Sequence, residues 1–354
     1  MDLIDFLKLT VEQDASDLHI AVGRPPVIRI DGVLKDVGTE VIMPDLAKKM
    51  IYSILSDSQK QKFEEHKELD FSLSVSRLSR FRVNIHYQRG TIAGAFRVIP
   101  ANIRGFEELH LPKQVCERLA RRPAGIVLVT GPTGSGKSTT LAAMVDLINR
   151  ERHCHIITIE DPIEYLHSHR KALVEQREVF EDTHTFANAL KYVLRQDPDV
   201  IMVGEMRDLE TISAALTAAE TGHLVFSTLH TVDAAQTVER VIDVFPPHQQ
   251  EQVRVQLAGV LEGILSQRLL PSARGHGREP AIEVLIATDA IRAMIREGKA
   301  YQIPGMIEAG GQLGMQTMDR ALIELYRKHR ITREVMMLNT RKPDEVTRQL
   351  AEIQ

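Results

Sequence analysis

The chain has no tryptophan, and its 354 residues include only 6 tyrosines and 10 phenylalanines. Single-stranded nucleic acid is gripped by stacking bases on aromatic rings, so this scarcity argues against that role. A net charge of −4 argues the same way, because nothing global attracts a polyanion. The two cysteines, Cys116 and Cys154, form no C-x-x-C pair. They exclude both a disulfide framework and a four-cysteine zinc element. No apolar run approaches the ~18 residues that a membrane-spanning helix needs. The opening Met1-Asp2-Leu3-Ile4-Asp5-Phe6-Leu7 is acidic, unlike a secretory signal. These absences lead to an expectation of a cytoplasmic protein with no nucleic-acid partner and no direct membrane insertion. With 43% hydrophobic and 26% charged residues, two globular domains with their own cores are expected.

What is present is a loop with chemistry in it. Gly131-Pro132-Thr133-Gly134-Ser135-Gly136-Lys137-Ser138 spells G-x-x-x-x-G-K-S and is followed by Thr139. It comes directly after the apolar run Gly125-Ile126-Val127-Leu128-Val129-Thr130, which reads as a buried parallel strand. Thr139 to Val145 reads as the helix that follows. In that setting the motif is a phosphate-binding loop. Its glycines let the backbone turn N–H groups and the helix N-terminus toward an anion. Lys137 supplies a charge to the β- and γ-phosphates of ATP, and the Ser138 hydroxyl a ligand to Mg²⁺.

The rest of the pattern divides in two. Residues 2–13 read as a short amphipathic helix, 27–35 as a hairpin turning at Asp31-Gly32, and 45–68 as helical. Residues 69–75, 81–88 and 91–99 alternate apolar with polar, as half-buried antiparallel strands do. Residues 1–100 are thus expected to form an α+β domain and 101–122 a linker. From 123 to 354 strand candidates at 125–130, 155–159, 173–175, 200–204 and 224–228 alternate with helices near 138–149, 185–195, 208–220 and 233–242. That rhythm predicts a parallel sheet covered on both faces, an α/β fold. Beyond 247 the pattern is mostly helical, with one strand near 281–285.

Ligands of parallel sheets sit at the carboxyl ends of the strands. Three strand ends carry polar groups there. Residues 155–159 run into Glu160-Asp161-Pro162-Ile163-Glu164, acids able to hold a metal-bound water or take its proton. The strand 200–203 ends in Gly204-Glu205, where most phosphate-loop enzymes place an aspartate on Mg²⁺. Arg207 follows, with an ion pair to Asp208 or Asp197 and a phosphate role equally open. His230, past the end of 224–228, is expected to sense a phosphate. His223 lies at the opposite end, within reach of an adjacent subunit as one open reading.

Two arginines outside this domain join the site on a register argument. If Arg89-Gly90 is a two-residue hairpin loop, Gln88 pairs with Thr91 and Arg82 pairs with Arg97. Like charges facing across a ladder repel, so an anion that neutralises both is expected. The candidates are ATP phosphates held by Arg82 and Arg97 as arginine fingers.

Taken together, these motifs resemble the type IV pilus retraction ATPases, twitching motility proteins of PilT type within the secretion ATPase superfamily. The resemblance rests on Ala15-Ser16-Asp17-Leu18-His19, the loop 131–139, Glu160–Glu164, Gly204–Asp208 and Thr221–His230. It also rests on Ala290-Ile291-Arg292-Ala293-Met294-Ile295-Arg296-Glu297, which is similar to that family's A-I-R-N-L-I-R-E segment except at Ala293 and Met294. The resemblance implies a PAS-like N-terminal domain, a RecA-like ATPase domain with a helical C-terminal region, and a homo-hexameric ring. It implies Glu164 as the base that activates water and Glu205 as the second catalytic acid, with Arg82 and Arg97 reaching the nucleotide. The implied partner is an inner-membrane pilus platform protein, which would hold the ring peripherally at that membrane. The rival readings are an accessory retraction paralogue, a pilus-assembly or type II secretion ATPase, a nucleic-acid translocase, and a nucleotide-gated binding module with negligible turnover.

Overall fold

The computed structural model describes residues 2–351. Contacts divide the chain into a first unit that ends at Asn102 and includes Glu164–Leu166, and a second formed by Ile103–Ile163 and the residues from His167 onward.

The first unit opens with α1 (Leu3–Glu12). Asp2 and Asp5 cap it by exchanging side-chain and backbone hydrogen bonds. β1 (Asp17–Ile20), β2 (Val27–Ile30) and β3 (Val33–Asp36) follow. Asp31 and Gly32 turn the β2–β3 hairpin with φ of 50° and 80°, the two-residue turn that Asp-Gly predicts. The single helical stretch expected over 45–68 is two helices, α2 (Pro44–Tyr52) and α3 (Asp57–His66). The break is a capping box: the Gln59 N–H donates to Ser56 Oγ, and the Ser56 N–H donates to the Gln59 side chain. β4 (Glu68–Val75), β5 (Ser79–Gln88) and β6 (Thr91–Ile99) complete an antiparallel sheet of order β3-β2-β1-β6-β5-β4. Alternate residues Phe81, Val83 and Ile85 of β5 are buried in one core with Leu7, Ile51, Phe63 and Phe96. This is the α+β unit expected.

In the second unit, residues 103–122 carry α4 (Lys113–Ala120), whose Val115, Cys116, Leu119 and Ala120 are buried in that unit's core. Then come β7 (Gly125–Thr130), α5 (Lys137–Glu151), β8 (His155–Glu160), β9 (Leu173–Glu178), α6 (Phe186–Val193) and β10 (Val200–Val203). α7 (Leu209–Glu220), β11 (Leu224–Leu229), α8 (Ala234–Asp243) and α9 (Pro247–Val260) follow. β12 (Leu261–Pro271) and β13 (Arg278–Ile286) lead to α10 (Asp289–Arg296), α11 (Ile303–Ala309), α12 (Met318–Arg327), α13 (Arg333–Asn339) and α14 (Pro343–Ala351). The sheet order is β13-β12-β7-β11-β10-β8-β9, parallel except for the β12–β13 pair. Every residue of β7, β10 and β11 is buried, as strands covered on both faces require.

β12 corrects the expectation of a single strand beyond 247. Leu261–Pro271 contains Glu262, Leu265, Gln267, Arg268 and three further leucines, all good helix formers. Pairing with β7 on one side and β13 on the other overrides that propensity. The interior place also explains Gly263, where a side chain would meet Leu119 at 2.9 Å and the Leu285 carbonyl at 3.0 Å.

Candidate active site

The register aligns the strand ends. Thr130 of β7 pairs with Leu229 of β11, and Val203 of β10 pairs with Ser227 of β11 and Ile159 of β8. Gly131, His230, Gly204 and Glu160 therefore leave the sheet along one edge, on strands ~4.8 Å apart. The expectation that the motifs converge at the carboxyl ends is met by this ladder.

At its head the loop curls around its own lysine. Lys137 is buried, and its Nζ donates to the Gly131 carbonyl at 2.9 Å and the Pro132 carbonyl at 3.1 Å. Gly131 has φ 144°, and a Cβ there would overlap the Gln267 carbonyl of β12 and lie 2.6 Å from Ser135 Oγ. Gly136, at φ 90°, is the N-cap from which α5 starts. Ser135 Oγ is buried with no partner among the described residues. Thr133 and Gly134 are exposed, and Ser138 and Thr139 are half-buried in the first turn of α5. Gln267, which the sequence reading missed, supports the loop from β12 and donates to Thr140 Oγ1 at 2.9 Å. A buried ammonium, an orphan hydroxyl and the N-terminus of a 15-residue helix together make a site for an anion.

Glu205 stands beyond β10. Its Oε1 forms an ion pair with Arg207, whose Nε lies 2.6 Å away, and His230 Nε2 lies 3.5 Å from its Oε2. Arg207 thus chooses Glu205 over the Asp208 or Asp197 considered from sequence. Asp208 instead caps α7, accepting from the Thr211 N–H at 2.8 Å. Gly204 before it has a reason legible only in three dimensions. Its N–H donates to the Ile159 carbonyl at 2.7 Å, and a Cβ would come within 3.4 Å of Glu160 Cα. Thr228 Oγ1 closes the other side by donating to the Gly204 carbonyl at 2.6 Å.

Of the acidic stretch 160–164, the buried member is Glu160. Its Oε1 accepts from Thr158 Oγ1 at 2.7 Å and Gln176 Nε2 at 3.1 Å. The alternation Thr158-x-Glu160, which puts both on one face of β8, was the available signal. Asp161 and Glu164 are exposed, and Glu164 clusters with the first unit. His223 lies half-buried at the opposite end of β11, where its Nδ1 donates to the Ala218 carbonyl at 2.9 Å at the end of α7. In α10, Ile291 and Ile295 are buried as their spacing predicts, but the two arginines differ. Arg292 donates to the Ala258 and Gly259 carbonyls and to Glu262 at 2.6, 2.9 and 3.0 Å, whereas Arg296 is exposed.

In the first unit the register argument holds: Gln88 pairs with Thr91 and Arg82 with Arg97. The neutralising anion has an internal component that the argument did not foresee. Arg97 Nε donates to Asp17 Oδ1 at 2.8 Å. Arg82 is exposed, with no side-chain partner among the described residues.

The chain was compared with known proteins. The family described as type II/IV secretion system protein matches residues 3–349. The type IV pilus retraction ATPase PilT of Pseudomonas aeruginosa is 50% identical over 334 residues, 94% of this chain and 96% of that protein. The type IV pilus ATPase PilU of the same organism is 41% identical, over 94% of this chain and 87% of that one. A crystal structure of the pilus retraction motor PilT with bound ADP superposes with a TM-score of 0.89 at 50% identity, covering 98% of this chain and 99% of the other.

Proposed function

The chain belongs to the type II/IV secretion system protein family, and from that premise we propose that it is a Mg²⁺-dependent ATP hydrolase that drives type IV pilus retraction. The observation that carries the reading is the loop 131–139, with Lys137 buried against its carbonyls and Ser135 Oγ left without a partner among the described residues. Identity of 50% to a retraction ATPase, against 41% to the PilU-type ATPase, supports retraction within the family.

ATP is the substrate in this reading. The backbone of residues 131–139 cradles its phosphates, and Lys137 carries a charge to them. Ser138 and Glu205 would hold Mg²⁺, one hydroxyl and one carboxylate being enough where phosphates supply the other ligands. The donor set fits a hard, oxygen-loving cation. When bound, the metal neutralises charge on the phosphates. Glu164 takes a proton from the attacking water, Glu205 acts as the second acid, and His230, Arg82 and Arg97 read the γ-phosphate. Domain closure on ATP then becomes force. The working assembly is a hexameric ring, cytoplasmic and peripheral at the inner membrane, that acts on a pilus platform protein.

Deletion of the gene with pilus imaging tests the biology. Hyperpiliated, non-twitching cells are expected, and bald cells would mean an assembly motor. Lys137→Ala tests the site. ADP affinity measured by calorimetry should fall by about two orders of magnitude, since a desolvated charge-assisted contact contributes about 3 kcal/mol. Unaltered affinity would remove the loop from nucleotide binding.

A further inference from the structure

The geometry of the first unit's sheet points to Asp17 as a positioning residue for Arg97: its buried carboxylate fixes one edge of the guanidinium and leaves the other edge to an anion. The inference rests on the reading of Arg97 as a group that meets the triphosphate. One row of residues runs across five strands. Ser72 on β4 faces Arg82 on β5, Arg82 faces Arg97 on β6, Arg97 faces Asp17 on β1, and Asp17 faces Arg29 on β2. Directly opposed residues project to the same face, so three guanidiniums and one carboxylate stand side by side. The carboxylate alone is buried: the Asp17 side chain is 9% exposed, against 69% for Arg97.

Both oxygens of Asp17 are engaged. Oδ1 accepts from Arg97 Nε at 2.8 Å and Oδ2 from Ser16 Oγ at 2.7 Å, with Arg29 Nε 3.8 Å from Oδ2. Burial pushes this carboxyl up. The hydrogen bonds from Ser16 and Arg97 and the charges of Arg97 and His19 outweigh it and hold it below the ordinary carboxylate range.

The choice of Nε is informative. A guanidinium offers five donors in a planar fork, and its two terminal nitrogens form one edge suited to a phosphate. Asp17 engages the Nε, and neither Nη of Arg97 has a hydrogen-bond partner among the described residues. Without the carboxylate on its other flank, Arg97 would face Arg82 with no neighbouring negative charge to hold it, and like charges across a ladder repel. Asp17 therefore holds Arg97 in place beside Arg82. The Ser16-Asp17 pair thereby acquires a task within the Ala15–His19 motif.

Asp17→Asn keeps the shape and removes the charge. Turnover, KM for ATP and ADP affinity should be measured on the full chain for D17N, R97A and the double variant. D17N should lower kcat about tenfold to a hundredfold, the scale for a misplaced catalytic contact, and leave ADP affinity unchanged. The double variant should be no slower than R97A, because both changes remove one function. A normal kcat in D17N beside a slow R97A, or losses that multiply in the double variant, overturns the positioning role. If D17N does not fold, Ser16→Ala releases only Oδ2 and should still slow kcat severalfold; an unchanged rate there also overturns it. A wild-type rate in R97A is a separate outcome: it removes the underlying reading of Arg97, and this inference with it.

Discussion

Arg207 Nε lies 2.6 Å from Glu205 Oε1, and the other oxygen of that carboxylate lies 3.5 Å from His230 Nε2. The strand end after β10 and the strand end after β11 are thus joined through one acid. A group held by a guanidinium on one side and an imidazole on the other is fixed in direction, as a residue that orients water must be. Glu205→Gln keeps an acceptor for Arg207 and loses the charge. Turnover should fall by about 10²- to 10⁴-fold, the usual worth of acid–base catalysis, while ADP binding persists. Steady-state hydrolysis beside ADP calorimetry measures both, and a variant that hydrolyses at the parent's rate takes Glu205 out of the chemistry.

Gly131→Ala should be costly for folding as well as for binding. The residue sits at φ 144°, and a methyl group would press on the Gln267 carbonyl and Ser135 Oγ. Backbone strain and overpacking each cost about 1–3 kcal/mol, so a loss of about 3 kcal/mol is expected. The midpoint of urea unfolding reads it directly. Gly134→Ala, with open space at its Cβ position, should lose less.

Burial pushes the His167 imidazole down to about 4, and its Nδ1 has no hydrogen-bond partner among the described residues. In the unfolded chain the ring takes a proton near pH 6.5; in the folded protein it does not until about pH 4. Between these values the unfolded state binds more protons, so stability falls as pH falls and is full above 6.5. The span corresponds to about 3 kcal/mol. His167→Leu should flatten unfolding free energy against pH across that window. An equally steep curve in the variant would assign the acid sensitivity elsewhere.

The two arginines of α10 should separate stability from function. Arg292→Ala removes hydrogen bonds to two carbonyls and to Glu262, and should cost about 2–3 kcal/mol. Arg296→Ala should change stability by less than about 0.5 kcal/mol, as exposed substitutions do. Thermal melts distinguish them. If the segment 290–297 serves retraction, Arg296→Ala should impair twitching while hydrolysis continues.

Much of this was legible because local rules controlled it. The Arg89-Gly90 turn, with φ of 49° and 75°, set the register that opposes Arg82 and Arg97. The glycine spacing of 131–136 and the strand before it marked the loop. What was not legible depended on distant partners. Leu261–Pro271 is a strand because β7 and β13 pair with it, against its own propensity. Asp17 and Arg97 lie 80 positions apart and meet only through the β1–β6 pairing. Arg207 had five acids within ten residues, and sequence alone could not say that Asp208 would be occupied in capping α7.

The floor beneath the phosphate loop is made by Gln267, 136 positions after Gly131, with the Thr130 hydroxyl held by Ser266 beside it. During synthesis from the N-terminus, the glycine-rich turn leaves the ribosome long before the strand that braces it. An interrupted chain that ends short of Leu261 would carry the entire motif and lack its support. The support beneath the loop is therefore complete only once β12 has been made.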